Sequence, residues 1–492
     1  MFAAICSQLM KQLTLTVFIL LALSLGAQAA EPAVATRPEP TAARGPNILI
    51  ILADDMGYGD PTCFNPQSKI PTPNIDRLAR QGMRFTDAHA PGSVCVPSRY
   101  GLMTGRYPLR MNGSPYKKAL IERGRVTIAS LLHDRGYITG MIGKWHLGFD
   151  GGSKFDYSKP LRGGPVDHGF DYFFGQHASL GMPPYFFIEN DRCVGAPTGR
   201  ISANDTLGRQ GPHWLAGDIA PGFKLDEVLP TFTRKAIEHI DQLATAKKPF
   251  LLYVALPAPH TPWLPTEAFR GKSACGLYGD WVSQVDDTVG QVLAALDRSG
   301  TADNTLVFFT SDNGPVWYPT DVQKYAHSSS GVFRGMKQDA WEGGHRMPFI
   351  ARWPGKIKPD SVSTRTLCFT DLLATFAAVT DTTLPAGAGE DSISFLPELL
   401  GEKQTGRESL VQGWKDSFSI RRGDWKLIPF LGSGGFSKPR HINPGPGKPA
   451  GQLYNLAADP GETKNLYAEY PEVVKELTTL LKHVREQGKA RP

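Results

Sequence analysis

The 492-residue chain has 20% charged and 41% hydrophobic residues, the make-up of an ordinary soluble globular protein, and is long enough for roughly two or three domains. Its 53 Lys plus Arg against 47 Asp plus Glu leave a net charge of +6, scattered with no basic block. That balance favours anionic small partners slightly and gives no case for nucleic acid.

The chain opens with Lys11, the apolar run "LTLTVFILLALSLG" and the small residues "AQA". This order predicts a secretory signal peptide over 1–29, cleaved near Ala29, and the run is too short for a stable membrane anchor. Cys6 precedes the run, whereas a lipid-anchored precursor places its cysteine after it, so soluble export to the periplasm or medium is expected. Residues 30–46, rich in Pro and Ala, read as a flexible leader. Cys63, Cys95, Cys193, Cys275 and Cys368 remain after cleavage. Their odd number leaves at least one thiol unpaired or altered, their wide spacing does not match a zinc knuckle, and the four besides Cys95 allow up to two disulfides.

From residue 47 onward, continuous apolar runs alternate with helix-like stretches. "NILIILA" runs into Asp54 and Asp55, "YITGMIG" into Lys144 and His146, "PFLLYVALPAP" into His260, and "TLVFFTS" into Asp312 and Asn313. Such runs fit strands buried on both faces. Between them, "TPNIDRLARQGMRF", "TIASLLHDRG" and "WVSQVDDTVGQVLAALDRSG" read as helices, and "CVPSRYGLMTGRYP" can open another, with Pro97 in the first turn. The alternation predicts an α/β fold with a mostly parallel sheet, in which ligands collect at the carboxyl ends of the strands. The polar clusters sit at those ends and are therefore brought to one crevice.

Past about residue 385 the composition shifts. A Gly/Pro-rich loop separates strand-like "DWKLIPF" from "QLYNL", and an amphipathic helix, "PEVVKELTTLLKHVREQG", closes the chain. The expected organisation is a catalytic domain over 47–385 and a smaller α+β domain over 386–492.

Asp54, Asp55, Asp312 and Asn313 offer only oxygen ligands, which suit calcium or magnesium over zinc; as isolated pairs, "DD" and "DNG" also read as plain turns. Lys144, His146, His260 and Lys337 are unremarkable singly and gain weight from their place at the strand ends. Cys95 stays open between a disulfide partner, a core thiol and an activated cysteine at a helix start. A thiolate facing carboxylates and a hard cation is chemically awkward, because sulfur prefers softer metals.

"CVPSRYGLMTGRYP" resembles the signature of the formylglycine-dependent type I sulfatases, arylsulfatase-like enzymes of the alkaline phosphatase superfamily. So do "PNILIILADDMGYGD", "GYITGMIGKWHLG", "HGFDYFFG", "PHTPW", "FTSDNG", "FRGMKQDAWEGGHRMPFIARWPG" and "LYNLAADPGETKNL", in this order. The resemblance implies a large mixed, mostly parallel sheet sandwiched by helices, and an exported sulfuric ester hydrolase acting on a sulfated carbohydrate or aryl sulfate. It implies that a formylglycine-generating enzyme converts Cys95 to formylglycine (3-oxoalanine). Asp54, Asp55, Asp312 and Asn313 would hold Ca2+, or Mg2+, with the modified Cys95 as a further metal contact. Arg99 would steady that residue, and Lys144, His146, His260 and Lys337 would line the sulfate, with His260 as acid for the leaving oxygen. Ser179 would contact sulfate; Trp263, Trp317 and His345 are candidates for sugar contacts. The alternatives are a phosphodiesterase or phosphonate hydrolase of the same superfamily, and a silent sulfated-glycan binding protein should Cys95 stay unmodified.

Overall fold

The computed structural model describes residues 45–402, 406–415 and 417–490. The expected signal peptide and all but the last two residues of the leader lie outside the described residues. Among the described residues no helix is long and apolar enough to cross a membrane.

Ten strands form one mixed sheet. At its centre, Asn47–Asp54 runs parallel to both Phe250–Pro259 and Thr305–Ser311, and the parallel set continues through Ile138–Lys144 to Tyr172–Gln176. Every residue of Asn47–Asp54, Phe250–Pro259 and Thr305–Ser311 is buried. Successive side chains in a strand point to opposite faces, so both faces of the sheet are covered, which is why these segments are apolar without alternation. Each buried Leu, Ile, Val or Phe contributes roughly 1.5–3 kcal/mol, so the central strands dominate the stability of the domain.

One set of helices, Pro73–Arg80, Val228–Thr245 and Gly276–Arg298, packs together and onto the Phe250–Pro259 and Ile138–Lys144 strands; a second set, Cys95–Thr104, Ile128–His133 and Asp371–Val379, packs together and onto Ile138–Lys144. The segment ending "QGMRF" departs from the helix expected of it. The helix stops at Arg80 and Met83–Phe85 becomes a strand antiparallel to Phe349–Arg352. Gly82 makes the change of direction possible: a Cβ there would stand 2.2 Å from the Ala351 carbonyl oxygen, so the backbones meet where any other residue would hold them apart.

Leu410–Trp414, Ser417–Arg422, Trp425–Ile428 and Gln452–Asn455 form a separate antiparallel sheet, and the closing helix, Pro471–Glu486, buries Leu477, Leu481 and Val484 beside it. A buried charge cluster ties this sheet to the segment after Thr305–Ser311. The Lys426 ammonium lies 3.0 Å from Glu342 Oε1 and 2.9 Å from Glu462 Oε1, and Glu462 Oε2 accepts the Glu342 backbone N–H at 2.6 Å. All three side chains are fully buried. Lys426→Ala leaves Glu462 without its cation and Glu342 with Arg346 alone, 3.2 Å from its Oε2, and is expected to destabilise the fold by about 3–5 kcal/mol, read as a lowered denaturant midpoint; an unchanged midpoint would contradict the role.

The cysteines Cys63, Cys95, Cys193, Cys275 and Cys368 are all free. The two disulfides the count allowed are not formed.

Candidate active site

The carboxyl ends of the parallel strands bring the polar clusters together as the sequence pattern implies. Asp54 ends the central strand, and Asp55 follows in a left-handed conformation with φ of 67°. His146, just past Lys144 on the neighbouring strand end, is also left-handed, with φ of 58°. Non-glycine residues take this conformation at a cost and concentrate at functional sites. Here the two reversals turn the chain out of the sheet as soon as it reaches the crevice.

Cys95 is the first residue of the Cys95–Thr104 helix. Arg99 lies four positions on, hence on the same helix face one turn later. Its Nε donates to Asp312 Oδ2 at 3.0 Å, its Nη2 lies 2.8 Å from the same oxygen, and its Nη1 donates to the Lys144 carbonyl at 3.0 Å. Lys144 Nζ donates to Asp54 Oδ2 at 2.5 Å, and Lys337 Nζ to Asp55 Oδ2 at 2.7 Å. Asn313 Nδ2 donates to Asp55 Oδ1 at 2.6 Å, and His260 Nε2 stands 3.7 Å from Asp55 Oδ2. Ser179 is buried after the Tyr172–Gln176 strand, and its Oγ has no hydrogen-bond partner among the described residues.

These buried charges set one another's protonation. Burial alone would raise Asp54, but Lys144, His260, Arg99 and Lys337 outweigh it and hold the carboxyl well below the usual range. Asp312 goes the other way: burial and the Asp54 charge push it up to about 7 against Arg99 and Lys144. Burial, Lys144 and Arg99 drive His146 well below its ordinary value. Burial and Lys337 bring His260 down to about 4, opposed by Asp55 and Asp54. Burial opposes the charge on Lys337, yet Asp55 more than compensates and holds the ammonium above its usual value. The Cys95 thiol is raised by burial in spite of Lys144 and Lys337. A neutral, buried thiol is a poor nucleophile, even at a helix start.

The oxygen cluster fits a hard cation. Asp54 Oδ1 and Asn313 Oδ1 are buried acceptors with no hydrogen-bond partner among the described residues, an arrangement that carries a desolvation penalty unless something occupies them. One ligand atom each from Asp54, Asp55 and His260 falls within a 4.8 Å span, and Asp312 Oδ1 accepts the Asp55 backbone N–H at 3.2 Å. Carboxylate and amide oxygens without thiolate suit calcium or magnesium.

Above the cluster opens a cavity of about 680 Å³, a size suited to a small ligand. Asp55, Cys95, His146, Ser179, His260 and Lys337 form its chemical end. Asp54, Arg99, Lys144, Asp312 and Asn313 lie beneath these residues.

The family model for sulfatases matches residues 46–382. The chain belongs to the sulfatase family. It is 35% identical over 481 residues to the N-acetylgalactosamine-6-O-sulfatase of Bacteroides thetaiotaomicron, covering 89% of this chain and 93% of the relative. It is 34% identical over 467 residues to human arylsulfatase A, covering 90% and 87%. A solved structure described for the metabolism of multiple glycosaminoglycans by Bacteroides thetaiotaomicron superposes with a TM-score of 0.80 at 33% identity, over 90% of this chain and 100% of that one. The protein is accordingly a sulfuric ester hydrolase.

The rest of the sulfatase cavity was hidden from the sequence. Tyr116 Oη lies 3.0 Å from His146 Nε2, fixing the imidazole from a loop that carries no recognisable motif. Trp414, Lys415, Phe418 and Phe436, from the antiparallel sheet and its loop, form the far wall. Trp263 and Trp317 both pack on Tyr278, with ring centroids 5.3 and 4.8 Å away, and do not line the cavity. Their signal, an aromatic near a strand end, is the same for core and for site. His345 is buried on the Lys426 cluster, with Nε2 3.1 Å from Lys426 Nζ.

Proposed function

We propose that this sulfatase removes sulfate from a sulfated carbohydrate, using formylglycine made from Cys95 and a calcium ion held by Asp54, Asp55, Asp312 and Asn313. The observation that carries the reading is the cluster of carboxylate and amide oxygens, two of them orphaned buried acceptors, beneath the cavity that Cys95 lines and close enough for Asp312 and Asp54 to bear on its thiol. A thiol has no good role there, whereas an oxygen nucleophile does. The hydrated aldehyde would supply that oxygen, with a second hydroxyl through which sulfate can be released without water attacking a hindered ester. Calcium would supply positive charge for the sulfate oxygens and the nucleophile.

The chain's own groups carry the remaining roles. Lys337, lining the cavity, would neutralise charge on the sulfate oxygens, with Lys144 behind Asp54 as support. Arg99 locks Asp312 and the Lys144 carbonyl in place beneath the nucleophile. His146, neutral through its depressed basicity, would accept a proton from residue 95, and Ser179 Oγ would donate to sulfate. His260 would protonate the departing oxygen. Its resting imidazole loses its proton above about pH 4, so the acid form is made when the negative ester joins it. For an ester with a poor leaving group, kcat/KM should therefore fall as pH rises above that value, while kcat persists to higher pH. His260→Ala should cost such an ester roughly 10²–10³-fold and a nitrophenyl sulfate far less; equal losses on both would contradict the assignment.

The cavity's size and its wall of Trp414, Phe418 and Phe436 suit a sugar ring, and the named activity of the Bacteroides thetaiotaomicron relative supports a sulfated amino sugar as the starting substrate class. Export is proposed from the 1–29 segment. The modifying enzyme would act before folding, because Cys95, Ser98 and Arg99 are 4%, 1% and 1% exposed in the finished fold. The test is a panel of defined sulfated mono- and oligosaccharides read by sulfate release, beside a matched aryl sulfate and aryl phosphate diester. Release from at least one saccharide with sulfate preferred over phosphate is expected; preference for the phosphate diester would favour the phosphodiesterase alternative.

A further inference from the structure

Next to the reaction cavity lies a second one, of about 550 Å³, lined chiefly by polar side chains. The two share a wall made of Gln338, Trp414, Lys415 and Phe436. Two residues of that wall, Gln338 and Lys415, hold left-handed backbone conformations, with φ of 71° and 57°. They join Asp55 and His146 as strained non-glycine residues that border the reaction cavity. Gln338 follows Lys337 directly and is fixed by its backbone N–H donating to the Ser93 carbonyl at 2.7 Å. Strain of this kind is kept where the surrounding structure holds a side chain to a purpose.

On the floor of the second cavity sits Gln412, 2% exposed, whose Nε2 donor has no hydrogen-bond partner among the described residues. A buried amide donor without an acceptor is costly unless a ligand or water supplies one. Among the described residues the charged groups lining the cavity are Lys415, Arg440 and Asp339, with His441 and His345 beside them. The Asp339 carboxylate is turned to its own surroundings. Its Oδ2 accepts from Met336 N–H at 2.9 Å and Ser437 Oγ at 2.5 Å, and its Oδ1 from Ser437 N–H at 3.1 Å. Among the described residues the two cations are thus the charges that can face an occupant: Arg440 spends only its Nε, on the Gly434 carbonyl at 3.3 Å, and the Lys415 ammonium lies 5.8 Å from the centre of the Trp414 ring, the aromatic surface between the cavities.

Resting on the sulfated-carbohydrate reading above, we infer that the second cavity is a subsite for the sugar unit joined to the one being desulfated, and that this neighbour carries a negative group. Lys415 and Arg440 bind the anion, the Gln412 amide donates to a hydroxyl or anionic oxygen, and the linkage crosses the Trp414 ridge. A carboxylate and a second sulfate present the same chemistry to these groups.

The experiment measures kcat/KM of the mature full-length enzyme on one sulfated monosaccharide and on three disaccharides extending it. In these the neighbouring sugar is neutral, bears a carboxylate, or bears a sulfate. The wild type is expected to prefer at least one acidic disaccharide over the monosaccharide by about tenfold or more, and that ratio should shrink as salt is raised. In Arg440→Ala and in Lys415→Ala the ratio should fall towards one, and Arg440→Lys should recover part of it. Which acidic arm is preferred identifies the anion. If the monosaccharide is hydrolysed and no acidic neighbour improves it, or the ratio is unchanged in both alanine variants, the subsite is overturned and the carbohydrate reading stands. If no saccharide is hydrolysed while nitrophenyl sulfate is, the carbohydrate reading fails and the subsite with it.

Discussion

Folded Cys95→Ala protein, assayed with calcium supplied, is expected to lose at least about 10³-fold in kcat on every sulfate ester, the scale seen when a nucleophile is removed from an otherwise intact site. The loss should appear in kcat more than in KM, because Lys337, His260 and Ser179 still line the cavity and still meet the sulfate. Stability should change little, since the side chain removed is small. Cys95→Ser separates two parts of the account. The introduced hydroxyl can attack sulfur and expel the alcohol, leaving a sulfate ester on the serine, but there is no second hydroxyl with which to release it. The serine variant should give a burst of about one alcohol per active site and then stall, with sulfate found covalently on the peptide. Sustained turnover by either variant near the wild-type rate would remove residue 95 from the chemistry.

Stripping the metal with a chelator is expected to reduce turnover by at least about 10²-fold and to lower the midpoint of thermal unfolding, both restored by calcium. The reason is visible in the carboxylates. Asp54, Asp55 and Asp312 are buried together, and two acceptor oxygens of the cluster lack partners among the described residues, so the metal-free site carries repulsion and unsatisfied groups. Asp312, raised to about 7 by burial and by Asp54, registers that repulsion as an extra proton. A calcium ion bound there would have to displace it, because a protonated carboxyl is a poor ligand. Above about pH 7 the proton is already gone and calcium affinity should be flat. Below it, affinity should fall by up to about tenfold per pH unit, with proton release detectable by calorimetry in buffers of different ionisation enthalpy. Affinity independent of pH between 5 and 8 would contradict the coupling, and full activity in metal-free protein would contradict the metal's role.

The central strands were legible because burial on both faces demands uninterrupted apolar runs, and the runs end where the crevice begins. Topology alone therefore placed Asp54, Lys144, His260 and Asp312 near one another. Asp55 and His146 owe their exact aim to left-handed backbone, which the sequence does not announce at an Asp or a His. Short strands were harder: Met83–Phe85 has three residues, too few for any period to emerge, and continued a helical pattern instead. The Val228–Thr245 helix, not among the stretches expected above, does carry a helical pattern, with Val228, Leu229, Phe232, Ala236, Ile240 and Leu243 buried at helical spacing. The far wall of the cavity was out of reach because Trp414, Lys415 and Phe436 come from a sheet remote in sequence, whose docking rests on the buried Lys426 cluster. Local pattern carries no information about that contact.

The proposed chemistry depends on what stands at position 95 of the working enzyme, and the mass of the peptide containing Cys95, taken from active native protein, tests it most directly. Conversion to formylglycine exchanges the sulfur and two hydrogens for one oxygen, so a peptide lighter by that difference, resistant to iodoacetamide and reactive with a hydrazide, is predicted. A peptide of unaltered cysteine mass that alkylates fully, from protein that hydrolyses sulfate esters at its normal rate, would contradict it.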